Sequence, residues 1–185
     1  MKRLLIVVDY QNDFVDGALG FEGAELLDER IAAKIESYHE EGDIVVYTMD
    51  SHNSRYLDTQ EGRKLPIEHC IEGKPGWDLY GKTAEAIYER DRMFCKPTFG
   101  SGKLFEYLDG AQEAADNEAV QPFISIELVG LVSNMCVLSN AVIAKTACPE
   151  VPIIVDASCT ASFDKELNEK ALDVLESMQI EVINR

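Results

Sequence analysis

Ile126-Glu127-Leu128-Val129-Gly130-Leu131-Val132-Ser133-Asn134-Met135-Cys136-Val137 starts as a buried strand, turns at Gly130 and runs into a helix. A cysteine sits where that helix begins. The first turn of a helix carries unpaired backbone N–H groups and a partial positive charge. A thiol placed there tends to ionise, and the thiolate is the nucleophile. One strand–turn–helix unit therefore predicts both a layered α/β fold and a reactive Cys136.

The same alternation extends in both directions. Leu4–Val8 is a continuous apolar run ending at Asp9, which suits a strand buried on both faces of a parallel sheet. Between Ala24 and Glu41, Leu27, Ile31, Ile35 and Tyr38 recur at the spacing of one helix face, with Gly42 as the stop. Ile44–Met49 is a second strand, again ending in an aspartate, Asp50. From Ser51 to Gly81 the periodicity is lost, and a loop this long in a compact domain points to function. Helical pattern returns at Thr83–Arg90. Met93–Lys96 reads as a third strand stopped by Pro97, and Gly102–Leu108 as a short helix followed by an acidic, alanine-rich segment to Asn117. Phe123–Val129, Val151–Val155 and Ile180–Ile183 complete six strands, with helices over Asn134–Thr146 and Asp164–Met178 between them. Strands alternating with helices predict one three-layer α/β/α, Rossmann-like domain over residues 1–185, with a six-stranded, mostly parallel sheet.

Bulk properties narrow the class. A net charge of −17 disfavours nucleic acid and anionic membrane as partners, because both demand basic surface. The five cysteines form no CxxC pair, and the apolar run after Met1-Lys2-Arg3 is too short for a signal-peptide core. Free thiols in a reducing cytoplasm are expected. Gly100-Ser101-Gly102-Lys103 is not a phosphate-binding loop: Pro97 stands where its first glycine belongs, and Leu104 replaces the required Ser or Thr. With no G-x-G-x-x-G after the first strand either, no nucleotide cofactor is expected.

In open α/β sheets ligands bind beyond the carboxyl ends of the strands. Asp9, Asp50 and Lys96 fall there, and Cys136 follows the fourth strand. Singly, Asp9 suits a strand-end cap, Lys96 a solvated surface lysine and Cys136 a core cysteine. Jointly they make an acyl-transfer set. Lys96 supplies a cation for a thiolate, Asp9 takes the thiol proton and returns it to a leaving amine, and backbone N–H groups before Cys136 hold an oxyanion. Asp50-Ser51-His52, followed by His69 in the same loop, offers carboxylate and imidazole donors suited to zinc, iron or manganese.

Three segments carry a resemblance to a known family. Asp9-Tyr10-Gln11-Asn12-Asp13-Phe14 resembles the opening D-x-Q-N-D-F motif of the isochorismatase-like cysteine hydrolases, and within them the nicotinamidases. Lys96-Pro97-Thr98-Phe99-Gly100-Ser101 is similar to their lysine motif, and Gly130–Val137 to their G-x-x-[ST]-[DN]-x-C-V nucleophile segment. The resemblance implies Asp9, Lys96 and Cys136 as catalytic residues, a cis peptide before Val132, and an oxyanion hole from the N–H groups of Val132 and Cys136. It also implies substrate contacts from Phe14, Gln11 and Phe99, and a thioester intermediate. It further implies a divalent metal on Asp50, His52 and His69, zinc first, with a third protein ligand between the histidines. Many members have a histidine where Asp58 stands here, and Glu61 is the preferred candidate. Where relatives carry an aromatic residue before the last histidine, this chain has Leu65-Pro66-Ile67-Glu68, and its single tryptophan, Trp77, comes after it. The expected activity is hydrolysis of nicotinamide to nicotinate and ammonia by a homo-oligomer. Another amidase or carbamoyl hydrolase of the superfamily, or a noncatalytic binding relative, is the alternative.

Overall fold

The computed structural model describes residues 1–185. Its sheet has six strands in the order β3-β2-β1-β4-β5-β6. They are β1 (Leu4–Val8), β2 (Ile44–Asp50), β3 (Arg92–Lys96), β4 (Ile126–Leu131), β5 (Ile153–Ala161) and β6 (Glu181–Ile183), and every neighbouring pair is parallel. All residues of β1 and β4 are buried, as expected of central strands with no solvent face. The helices are α1 (Asn12–Val15), α2 (Asp28–Glu40), α3 (Gln60–Lys64), α4 (Gly81–Glu85), α5 (Gly102–Glu118), α6 (Leu138–Ala147) and α7 (Lys165–Ser177).

Two apolar clusters lie on opposite faces of the sheet, which makes the three layers. One joins Leu4, Ile6 and Leu128 to Leu104 and Leu108 of α5, Ala141 of α6 and Leu172 of α7. The other joins Leu5, Val7 and Val129 to Ile31 and Ile35 of α2 and to Phe14 of α1. Successive residues of β1 thus feed alternate layers. The strand order reverses between β1 and β4, and this switch point opens a crevice at their carboxyl ends.

Several element limits differ from the sequence reading. Residues 102–117 form one helix, α5, because good helix formers continue through the acidic segment and Gln112 bonds Asp116 one turn on. The helix expected over Thr83–Arg90 is only α4, since the chain then turns so that Asp91 accepts from Tyr88 N–H and pairs with the buried His39. β5 does not end at Asp156. A bulge intervenes, where Asp156 accepts from the N–H and hydroxyl of Ser158, and pairing with β4 resumes at Thr160. The stretch from Ser51 to Gly81 holds α3 and two short 3₁₀ turns.

Gly130 is not a turn after the strand but part of β4, opposite Val8, at φ +110°. A side chain there would place its Cβ 2.0 Å from the Val8 carbonyl oxygen. Glycine therefore lets β4 lie against β1 and still deliver the following residues into the crevice. The Leu131–Val132 peptide is cis.

Candidate active site and metal centre

Asp9 follows β1 directly, in the left-handed region at φ +45°, and is fully buried. Thr48 of β2, its neighbour across the β1–β2 pair, donates its hydroxyl to Asp9 Oδ1 at 2.7 Å. Asp9 Oδ2 faces Lys96 Nζ at 2.6 Å. Lys96 closes β3 and is 2% exposed, so the surface reading of this lysine does not hold. Its ammonium also donates to the Thr98 carbonyl at 2.9 Å and lies 3.5 Å from both Asp50 Oδ1 and Cys136 Sγ. The Asp9 carboxyl is near enough to the same thiol to raise it. The structure thus brings Asp9, Lys96 and Cys136 into one buried cluster at the switch point.

The segment carrying Cys136 is a π-helical turn, Ser133–Val137, that runs into α6. The Val132 carbonyl accepts from the N–H groups of Met135 at 3.1 Å and Val137 at 3.2 Å, and passes over that of Cys136 between them. A regular α-turn would pair the Val132 carbonyl with the Cys136 N–H. The π-turn instead leaves that N–H at the reactive end of the helix, next to the Val132 peptide.

The charges modify one expectation. Burial and the neighbouring Asp9 push the Cys136 thiol well above its ordinary range, and Lys96 offsets this only in part. Full burial thus acts against ionisation of the thiol at the helix start. Burial also raises Asp9 against the pull of Lys96, so its carboxylate is a stronger base than a solvated one. For Lys96, burial opposes the charge, but the carboxylates of Asp9 and Asp50 outweigh it and hold the ammonium protonated.

Beside this cluster, Asp50, His52 and His69 bring donor atoms within 4.8 Å of one another. Asp50 Oδ2 lies 3.0 Å from His52 Nε2 and 3.3 Å from His69 Nε2. All three residues are buried. The two histidines are held together by the backbone: His52 N–H donates to the Cys70 carbonyl, and Cys70 N–H to Asp13 Oδ2. His69 Nδ1 bonds the Ile67 carbonyl at 2.8 Å, which leaves Nε2 to carry the lone pair. Glu61, on α3, places Oε1 4.0 Å from His52 Nε2 and 3.9 Å from His69 Nε2, whereas Asp58 is exposed. Two imidazole nitrogens and convergent carboxylates fit a borderline divalent cation. Burial would raise Asp50, but bonds from both histidines and the charge of Lys96 hold it well below the ordinary carboxylate range.

Both clusters border a cavity of about 390 Å³. Phe14, Leu19, Leu65, Phe99, Met135 and Phe163 form its walls, Cys136 and Val132 its floor, and Asp50, Glu61 and His69 one side. No lysine or arginine lines it. Of the sequence candidates, Gln11 is not in the lining. Its amide is used up by backbone, accepting from Asp50 N–H and donating to the carbonyls of Asp50 and Trp77. Gln11 fixes the Asp50 strand end rather than touching the cavity. Trp77 donates to Ser51 Oγ and, partly buried, packs against the core. Of the segment Leu65–Glu68 before His69, Leu65 lines the cavity wall. Thr48 and Phe163 were not singled out from the sequence. The first needed the β1–β2 register, and the second lies in an unpatterned turn after β5.

Comparison with known proteins agrees with this fold. The isochorismatase domain family matches residues 3–185. An isochorismatase family protein of Bacillus subtilis is 32% identical over 176 residues, covering 93% of each chain. A nicotinamidase/pyrazinamidase of Mycobacterium tuberculosis is 27% identical over 190 residues, covering 98% of each. Among solved structures, a pyrazinamidase of Pyrococcus horikoshii in complex with zinc superposes with a TM-score of 0.80 at 22% identity, covering all of both chains.

Proposed function

Because the chain belongs to the isochorismatase family, we propose that it is a cysteine amidohydrolase that converts nicotinamide to nicotinate and ammonia. The observation that carries this reading is the placement of a buried Asp–Lys–Cys set at the foot of a largely apolar cavity that no lysine or arginine lines. A neutral aromatic amide fits such a cavity. Isochorismate, a dicarboxylate, and carbamoyl amino acids would ask for a lysine or arginine in the wall. The relative from Mycobacterium tuberculosis, named for the same amide chemistry, supports the assignment.

In the proposed cycle Cys136 Sγ attacks the amide carbon while its proton passes to Asp9, so the thiolate forms only as the new bond forms. Lys96, 3.5 Å from the sulfur, stabilises that charge and keeps Asp9 available as a base. The N–H groups of Val132 and Cys136 receive the developing oxyanion. Asp9 returns the proton to the departing nitrogen, ammonia leaves, and a thioester remains. Water, deprotonated by Asp9, then attacks the thioester carbon, which releases the acid and the thiol. Phe14 and Phe99 flank the ring.

Asp50, His52 and His69, with Glu61, would hold a divalent cation, zinc by the donor set. When bound, such an ion supplies a Lewis acid that anchors the ring nitrogen of the amide. Ammonia release from a panel of neutral and anionic amides tests the reading, with Cys136→Ala as the control. Equal release by parent and variant, or a preference for anionic amides, would overturn it.

A further inference from the structure

The loop Pro97–Ser101 contributes two things to the site: the Phe99 side chain in the cavity wall and the Thr98 carbonyl that holds the Lys96 ammonium at 2.9 Å. It belongs to the β3–α5 connection, whereas the nucleophile rides on the turn before α6. Asn140, one turn after Cys136, spans the two. Its Oδ1 accepts from Ser101 N–H at 3.0 Å, and its Nδ2 donates to the Phe99 carbonyl at 3.2 Å and to the Cys136 carbonyl at 2.8 Å. The side chain is fully buried, so both amide protons and the oxygen are committed to these partners without competition from water. The i, i+4 spacing puts Asn140 and Cys136 on one face of the helix, and the amide reaches across to the loop from there.

We propose that Asn140 is a positioning residue for the reaction: its amide sets the Phe99 wall and the Lys96 head at their distances from Cys136. Other side chains do not reproduce this. Aspartate keeps the acceptor for Ser101 but turns an oxygen toward two carbonyls. Threonine is too short to reach the loop, yet its hydroxyl can bond back to the Cys136 carbonyl and leave the helix satisfied.

Asn140→Thr is therefore the test, with Asn140→Ala beside it as the more disruptive change. Two measurements are made on folded, metal-replete protein. The first is independent of the substrate assigned above: iodoacetamide labelling of Cys136 at one pH, followed peptide by peptide. We expect Cys136 to react about tenfold more slowly as the Lys96 head loosens, while the buried Cys70, Cys148 and Cys159 stay protected and so report an intact fold. The second rests on the nicotinamide reading and is a double-mutant cycle with Phe99→Ala. Asn140→Thr should raise KM about tenfold in the parent and hardly at all once Phe99 is gone. Unchanged Cys136 labelling in the threonine variant, or fully additive effects on KM, would overturn the proposal. Slowed labelling in a protein that does not hydrolyse nicotinamide would leave Asn140 in its role and reject the substrate instead.

Discussion

Replacing Lys96 by methionine removes the ammonium that faces both buried carboxylates. Lys96 Nζ lies 2.6 Å from Asp9 Oδ2 and 3.5 Å from Asp50 Oδ1, and the residue is 2% exposed. A pair of unit charges near 4 Å is worth about 4 kcal/mol at an effective dielectric of 20. Removing one partner of a buried pair typically costs about 3–5 kcal/mol, because the other charge is left without compensation. Asp9 is already raised by burial and by Asp50, with Lys96 as its main counterweight. Without that counterweight the carboxyl holds its proton more tightly and is less able to accept one from the thiol. If the full penalty falls on the base, kcat/KM drops roughly two hundred- to five thousand-fold, at 1.36 kcal/mol per decade. Methionine preserves the length and apolar stem, so the fold should persist. Steady-state ammonia release, read beside a denaturant midpoint, separates lost chemistry from lost structure. A folded Lys96→Met protein with kcat/KM within about tenfold of the parent would refute the assignment of Lys96 as the counter-charge of the site.

Other outcomes follow from the same geometry. The acid limb of the kcat/KM profile should lie above the ordinary carboxylate range, since burial raises Asp9 and activity needs its deprotonated form; the rate is lost as pH falls through that raised value. A limb at or below the range of a solvated aspartate would contradict this. Gly130→Ala should destabilise the protein by about 3 kcal/mol or more, because φ +110° and a 2.0 Å approach to the Val8 carbonyl exclude a Cβ; an unchanged denaturant midpoint would count against the packing described. Metal analysis should show weakened retention in Glu61→Ala and unchanged retention in Asp58→Ala, as Glu61 is the carboxylate near both histidines; the reverse order would reinstate Asp58. Nicotinate should inhibit only at concentrations well above the KM for the amide, because no lysine or arginine lines the cavity while Asp50 and Glu61 do; inhibition near KM, measured by product titration, would point to an anion site.

The α/β class, the six strands and the polar groups at their carboxyl ends were legible from periodicity and from a few motif residues. Continuous apolar runs such as Leu4–Val8 can be satisfied only where both faces are covered, and that requirement is local. The same holds for Asp9, Asp50 and Lys96, which end the runs in which they stand. What sequence could not supply was which strands are neighbours. The order 3-2-1-4-5-6 places Asp9 between Lys96 and Cys136 and brings Thr48 onto the Asp9 carboxylate. The family resemblance implied a substrate contact for Gln11, yet packing turns its amide toward the backbone of Asp50 and Trp77. The helix start at Cys136 promised an ionised thiol, since helix position is visible in sequence. Burial is a tertiary property, and here it opposes that ionisation, raising both the thiol and the carboxyl of Asp9. Residue types and their order thus determined the chemistry available to this protein. Only the fold decided the distances and the solvent exclusion under which that chemistry operates, because both depend on contacts between segments far apart in the chain.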